Sequence, residues 1–197
     1  VSLDGALDVQ GQPSDDVFRY AYLNAYFETG LANPLDAAIT AHAQPDIGAY
    51  TKRDEVPYDF VRKRLSIVVT PADAPPLMLT KGALDTVLPI CTSMQDGAAV
   101  VPLDDAFLQH IHQRYADWSA QGFRVLGVAV REMPEQTRYT RQDEQDMTFV
   151  GYLLFFDPPK PDVKEVIADL AGLGVQLKII TGDNKPVALH AAAAVGL

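Results

Sequence analysis

The chain has 197 residues, of which 48% are hydrophobic and 21% are charged, and this balance excludes a disordered or fibrous protein. With 16 basic against 26 acidic side chains the net charge is −10, which argues against a surface that follows the phosphate backbone of nucleic acids. The single cysteine, Cys91, excludes an internal disulfide and indicates a reducing compartment, and no apolar run reaches the roughly 18 residues that a membrane-spanning helix needs.

Two helices are expected near the start of the chain. Ser14 and two aspartates precede a stretch with helical apolar spacing, residues 17–27, so this helix should be capped at Ser14 and end by Gly30. Asn33 and Pro34 then supply an N-cap and a first-turn proline, which predicts a second helix that includes residues 35–39. We expect the first of these helices to pack in the core.

The middle of the chain is predicted to be antiparallel sheet. Residues 64–70 and 77–81 are rich in strand-forming side chains and are joined by a proline-rich loop, which is the pattern of a hairpin. A longer helix is expected over residues 104–121, and two further strands over residues 123–130 and 149–156.

After residue 156 the pattern changes to that of a parallel α/β unit. A helix is predicted over residues 162–171, a strand over 175–180, a turn at Thr181-Gly182-Asp183 and a final alanine-rich helix. One such unit cannot build an open sheet by itself, so we expect the segment to belong to a second domain whose remainder lies outside this chain.

Several separated stretches together resemble the P-type ATPases. Lys81-Gly82-Ala83, Asp157-Pro158-Pro159-Lys160 and Thr181-Gly182-Asp183-Asn184 stand in the order in which that family carries the lysine motif of its nucleotide domain and two motifs of its phosphorylation domain. Residues 59–69 and 29–38 are similar to the versions found in bacterial magnesium-transporting members. Each short motif alone is uninformative, whereas the ordered set is improbable by chance.

The resemblance implies a fold and a function. The fold class is then α/β, with residues 1–156 as an α+β nucleotide-binding domain in which helices flank a twisted antiparallel sheet. Residues 157–197 are then a fragment of a Rossmann-like phosphorylation domain of the haloacid-dehalogenase type. The implied function is that of the ATP-binding cytoplasmic domain of a cation pump, with Mg²⁺ as the expected cargo.

The expected adenine pocket combines an aromatic wall with a few polar groups. Phe60 is the candidate for the flat apolar wall that a purine needs. Lys81 would line the pocket, while Gly82, which has no side chain, would let the ligand approach the backbone. Asp36 matches a position where many relatives carry a Glu that binds the adenine amino group. The simpler alternatives are a core phenylalanine, a lysine that extends into solvent and an acid that complements a helix dipole.

A group of basic residues is expected to face the phosphates. Arg62, Lys63 and Arg64 follow one another, and Arg124 lies on a later predicted strand, which concentrates positive charge on an acidic chain. Arg124 matches the family arginine that contacts phosphate or ribose, and the resemblance puts Leu126 near the base. For Lys63 and Arg64 individually, a solvated charged face is an equal alternative.

The two C-terminal motifs are expected on the phosphoryl side of the site. Thr181, Gly182 and Asp183 follow a predicted strand and precede a helix, which is a usual place for an anion in α/β folds. In the family this loop contacts the transferred phosphoryl group, and Asp157 belongs to the hinge side of that pocket. Capped turns without a ligand are the alternative for both motifs.

The family's phosphorylated residue does not occur in this sequence. P-type pumps form a phosphoryl-aspartate in an Asp-Lys-Thr-Gly-Thr motif, so we expect this chain to bind ATP, as MgATP, without hydrolysing it. The expected partners are the remaining phosphorylation, actuator and transmembrane domains of the same polypeptide, with this domain on the cytoplasmic side of the inner membrane. No nucleic acid is expected. No metal ligand is predicted either, because His110 and His112 would point to different faces of a helix.

Two other functions are compatible with parts of the sequence. A soluble phosphatase of the haloacid-dehalogenase type with a large cap shares the Thr-Gly-Asp loop, although the catalytic aspartate of its first strand is missing here. An adenine-nucleotide sensor with no pump attached could use the same pocket, and mainly the C-terminal segment argues against it.

Overall fold

A computed structural model describes residues 1–30 and 33–197, in which a single large sheet is flanked by helices. The strands are β1 (Ser2–Asp8), β2 (Tyr50–Val56), β3 (Arg64–Pro71), β4 (Leu77–Ala83), β5 (Cys91–Asp96), β6 (Ala99–Pro102), β7 (Arg124–Glu132) and β8 (Met147–Phe156). The helices are α1 (Asp15–Phe27), α2 (Pro34–His42), α3 (Leu84–Val87), α4 (Asp105–Ala120), α5 (Val163–Gly172) and α6 (Lys185–Val195). Leu31 and Ala32, which belong to the family-like stretch 29–38, lie outside the described residues.

The sheet is mostly antiparallel, as the sequence predicts. Its strands follow the order β2-β3-β4-β7-β8-β5-β6, and β1 also pairs with β8. Among the described strands only β5 and β8 run parallel to each other. The strand β8 is therefore central, with β7 along one edge and both β1 and β5 along the other.

Successive residues of the central strands point to opposite faces of the sheet, and each face is covered by its own helices. On one face, α1 and α2 pack on a cluster that includes Val128 and Leu153. On the other face, α3 and α4 pack on a cluster that includes Ala129 and Leu154. Helices on both faces leave the strand ends, and the loops that join them, free to form a site.

The predicted helix starts are confirmed by their caps. The side chains of Ser14, Asn33 and Asp104 each accept a hydrogen bond from a backbone N–H in the first turn of α1, α2 and α4, respectively. Such caps satisfy donors that a helix leaves unpaired at its N-terminus. The cap at Asn33 also fixes the position of Asp36, which lies in the first turn of α2.

The predicted strand over residues 175–180 is not formed. The helices on either side of it are present as α5 and α6, but the segment between them contains no strand, and Ile180 is 98% exposed. An extended segment needs a neighbouring strand to bind its backbone N–H and C=O groups, and no described strand lies beside this one. The parallel α/β unit expected for this segment is thus not present as such.

None of the described helices combines the length and the apolar character that crossing a membrane would require.

Candidate functional site

A cavity of about 830 Å³ opens at one end of the sheet. Its walls come from the segment between α1 and α2, the turn between β2 and β3, the ends of β4 and β7, and the loop before α6. The lining includes these residues that sequence analysis singled out: Asp36, Phe60, Lys81, Gly82, Arg124, Leu126, Gly182 and Asp183. Arg62, Asp157 and Thr181 do not line it.

An ion pair between Lys81 and Asp36 lies in the floor of this cavity. The Lys81 side chain, on β4, is 4% exposed, and its ammonium donates a hydrogen bond to the Asp36 carboxylate at the start of α2. The alternative of a lysine that extends into solvent is therefore wrong. Two opposite charges held together out of water are costly to separate, because either one alone would be buried without a partner.

Glu28 joins this ion pair and was missed by sequence analysis. The residue caps the C-terminal end of α1 and lines the cavity. Burial raises the pKa of its carboxyl to about 8, and a hydrogen bond and charge repulsion from Asp36 act in the same direction, while Lys81 opposes them. At neutral pH the protonated form of Glu28 is favoured, so it can donate a hydrogen bond. A glutamate just after a helix carries no sequence signal that would have revealed this.

Phe60 lies on the turn between β2 and β3 and presents its ring to the cavity. The side chain is 86% exposed, so the alternative of a core phenylalanine is wrong. Its aromatic neighbour is Tyr58, which meets it edge to face with ring centroids 5.6 Å apart. A ring as exposed as this one is available for stacking on a flat ligand.

Gly82 lines the cavity, but the reason for a glycine there differs from the expected one. A Cβ atom on Gly82 would lie 2.4 Å from Cβ of Arg64 and 2.5 Å from the carbonyl oxygen of Lys63. The space of the missing side chain is thus filled by β3 and the residue before it, and not left open for a ligand. The sequence analysis expected a ligand to approach the backbone of Gly82, whereas the residues that require a glycine here are Lys63 and Arg64.

Arg124 reaches across the cavity to the loop before α6. Its Nε and Nη2 atoms donate hydrogen bonds of 2.9 and 2.5 Å to Oδ1 of Asp183. Thr181 supports the same carboxylate, because its hydroxyl donates to Oδ2 at 3.0 Å and accepts from the Asp183 N–H at 3.1 Å. Leu126, two residues along β7, supplies apolar surface to the cavity.

Besides Thr181, three of the singled-out residues do not line this cavity, namely Arg62, Arg64 and Asp157. The Arg62 guanidinium is bound by the carboxylates of Asp59 and Glu144, so it does not face the cavity as the sequence prediction expected. Asp157 lines a smaller cavity of about 150 Å³ that it shares with Arg124 and Asp183. The described residues contain no group of three or more His, Cys, Asp or Glu side chains that could hold a metal ion.

The fold and these motifs together define a class of protein. The chain belongs to the P-type ATPases, since residues 21–162 match the family model for the P-type ATPase cytoplasmic domain N. This match extends over strands β2 to β8, though not over β1, and over the walls of the large cavity apart from the loop before α6 and Val187 in α6.

Within this family, the chain is similar to magnesium-transporting and calcium-transporting members. Over its whole length the chain is 37% identical to the magnesium-transporting ATPase, P-type 1, of Salmonella typhimurium strain LT2 and 34% identical to the protein of that name in Escherichia coli K12. It is 31% identical, over 73% of its length, to calcium-transporting ATPase 1 of Bacillus cereus. The chain spans only 22%, 23% and 16% of these three relatives. These similarities do not favour the alternative function of a soluble phosphatase of the haloacid-dehalogenase type.

Proposed function

We propose that this chain is the ATP-binding part of a magnesium-transporting P-type pump, and that its large cavity holds the nucleotide of MgATP. The observation that carries the proposal is that Phe60 and Lys81 line one cavity. An exposed aromatic ring and a buried ammonium are the two groups that a purine with an anionic tail requires.

The size and chemistry of the cavity support this proposal. A volume of about 830 Å³ lies in the range of roughly 300–1,000 Å³ that is typical of small-molecule sites. Phe60 and Leu126 would enclose the base, and the carboxylate of Asp36 would accept a hydrogen bond from its amino group. Arg124 and Lys63 also line the cavity and would face the phosphates. Arg62 is left out of the proposed contacts because other side chains already bind it.

The rest of the pump would supply the chemistry. Bound ATP would provide the phosphoryl group, and its acceptor aspartate would lie in the same polypeptide outside this chain. We propose residues 1–156 as the nucleotide-binding domain and residues 157–197 as part of a phosphorylation domain of the haloacid-dehalogenase type. The part of the site that faces the transferred phosphoryl group would include four residues of that segment: Asp157, Thr181, Gly182 and Asp183. Actuator and transmembrane domains would complete the protein at the cytoplasmic face of the inner membrane.

The test is to titrate ATP into this chain and into two variants of the same turn. Phe60→Ala should weaken ATP binding about fivefold or more, the factor that corresponds to the loss of one base–aromatic stack. Val61→Ala is the matched control, because Val61 is 90% exposed, follows Phe60 directly and does not line the cavity. Isothermal calorimetry or backbone NMR shifts give the affinities. Equal affinities of the two variants, or no binding by the unaltered chain, would contradict the proposal.

A further inference from the structure

We infer that Glu144 is a positioning residue that holds the turn carrying Phe60 in place, although Glu144 itself does not line the cavity. Glu144 comes from the segment between β7 and β8, and it acts on Phe60 through Arg62. The inference rests on the proposed function, because it gives the turn a role in binding ATP.

Glu144 is a fully buried carboxylate with several donors. Its side chain is 0% exposed. Arg62 donates from Nη1 to both of its oxygens, at 2.7 and 2.6 Å, and Arg64 donates from Nε at 2.9 Å. The Ser66 hydroxyl adds a bond of 2.7 Å. A buried charge with this many partners holds those partners firmly, because loss of any one of them leaves the carboxylate less satisfied.

Arg62 transmits this anchoring to the turn. From Nε it binds Oδ2 of Asp59 at 2.5 Å, and from Nη2 it binds the carbonyl oxygen of Pro57 at 2.6 Å. The other oxygen of Asp59 accepts the backbone N–H groups of Val61 and Arg62, at 3.0 and 2.7 Å. These bonds, the backbone N–H of Arg62 first among them, lower the pKa of Asp59 to about 2, so its carboxylate stays charged at neutral pH.

Phe60 depends on these bonds because little else holds it. It lies between the two residues, Asp59 and Val61, that the network ties down, and its own ring is largely exposed. Tyr58, its aromatic neighbour, is on the same turn and is itself exposed. The conformation of the turn therefore decides where the ring lies. A ring ordered in advance costs less entropy when a ligand binds, so the anchor at Glu144 should contribute to affinity.

The first experiment measures the turn without any ligand. Amide hydrogen exchange by NMR reports opening of the bonds that Val61 and Arg62 donate to Asp59. Glu144→Gln should speed exchange of these two amides about fivefold, the factor expected for the loss of one net hydrogen bond. Ser66→Ala is the matched control, because Ser66 binds the same carboxylate from β3 and makes no bond to the turn. It should leave both amides unchanged.

Arg62→Lys provides a second route if Glu144→Gln does not fold. Lysine keeps the charge but cannot make the forked contacts of a guanidinium to Glu144, Asp59 and Pro57. The same two amides should exchange faster in this variant. Unchanged exchange in whichever of the two variants folds would overturn the inference, whether or not the chain binds ATP.

The second experiment is a double-mutant cycle on ATP affinity. Glu144→Gln alone should weaken binding by about twofold to fivefold, no more than the loss of the stack itself. In the Phe60→Ala background it should have no further effect, because Glu144 acts through the ring. An equal loss in both backgrounds would overturn the inference while Phe60→Ala still supports the proposed function. Absence of ATP binding in the unaltered chain would overturn the proposed function and, with it, a role for Glu144 in affinity.

Discussion

The most informative residues of the site are three buried or half-buried titratable groups that share one hydrogen-bonded cluster. Lys81 and Asp36 neutralise each other, and Glu28 then has no cation of its own. Burial of Glu28, its hydrogen bond with Asp36 and the repulsion between two negative charges together favour a protonated Glu28. With its proton shared with Asp36, Glu28 leaves carboxyl oxygens at the cavity that can accept hydrogen bonds, which suits the amino group of a purine base.

This protonation gives a prediction about pH. Because the folded-state pKa of Glu28 is raised from its ordinary value of 4.5 to about 8, its stabilising contribution is complete below pH 4.5 and is lost as pH rises to about 8. The unfolding free energy of the unaltered chain should therefore fall relative to that of Glu28→Gln over this window. Urea denaturation of both proteins at several pH values measures the difference.

The control for this prediction is Glu165→Gln, which makes the same replacement of Glu by Gln at an exposed carboxylate on α5. Its stability relative to the unaltered chain should not follow the trend seen for Glu28→Gln. If the unfolding free energies of Glu28→Gln and the unaltered chain run parallel from pH 5 to pH 8, the buried carboxyl is not protonated in the folded state.

At the scale of elements, the contact between β3 and β4 determines the shape of the cavity. Arg64 pairs with Gly82 across these strands, and the backbone of Lys63 lies close to the same glycine. The Ala83 N–H donates a hydrogen bond of 3.0 Å to the Lys63 carbonyl oxygen. Lys63 adopts a left-handed conformation, with φ of 47°, as the chain leaves the Phe60 turn. The glycine allows this sharp change of direction beside the lysine that lies in the cavity floor.

Gly82→Ala should therefore be destabilising. The added methyl group overlaps Cβ and Cα of Arg64 and the carbonyl oxygen of Lys63, none of which is the end of a flexible side chain. We therefore expect a loss of about 1–3 kcal/mol of unfolding free energy, the usual range for overpacking. Gly172→Ala is the control, since no atom lies within 4 Å of its added Cβ and alanine favours the helix that it ends. Thermal and urea denaturation compare the two. Equal stability of both variants would show that β3 can shift without cost.

The elements that sequence analysis predicted are those with local signals. The caps at Ser14 and Asn33 defined α1 and α2 because capping depends on neighbouring residues alone. The strands β1 and β2 were not predicted, since the first contains glycine and aspartate and the second is rich in charges; each is a strand only because a partner strand lies beside it. The prediction of a strand at 175–180 was wrong for the opposite reason, because the composition of this stretch suits a strand but no described strand lies beside it.

The candidate site was predictable to a similar extent. Family motifs led to Phe60, Lys81 and Asp36, which line one cavity. The same motifs could not reveal that Arg62 is bound by Glu144, because the two residues are 82 positions apart and a long-range ion pair leaves no local pattern. A charged side chain is assigned to a ligand or to a structural partner only once the fold is known.

At the scale of the whole molecule, polar contacts attach the C-terminal segment to the helix α4 and to the start of β7. Asn184 donates from Nδ2 to the hydroxyl groups of Tyr115 and Ser119 on α4, at 2.8 and 3.0 Å. Next to it, Asp183 binds Arg124 at the start of β7. The arginine proposed to meet the phosphates of ATP is therefore already paired with a carboxylate that belongs to another part of the chain.

This pairing predicts that Asp183 competes with the nucleotide. Asp183→Asn should tighten ATP binding by up to about fivefold, because a partly exposed ion pair is worth roughly 0–1 kcal/mol and its loss frees the Arg124 guanidinium. Asp157→Asn removes one negative charge from the same segment outside the large cavity, so it controls for net charge. Calorimetric titration with ATP compares them. Weaker binding by Asp183→Asn would instead mean that Asp183 assists the ligand.

The central place of β8 also constrains the order in which the molecule can assemble. Ser2 and Phe156 bind each other across 154 positions, so β1 has no partner strand among the described residues until β8 has been made. Pairings that distant are slow to form, and an unpaired strand is prone to associate with other chains in the meantime. Biogenesis of this protein should therefore be most vulnerable to aggregation just before synthesis reaches residue 156.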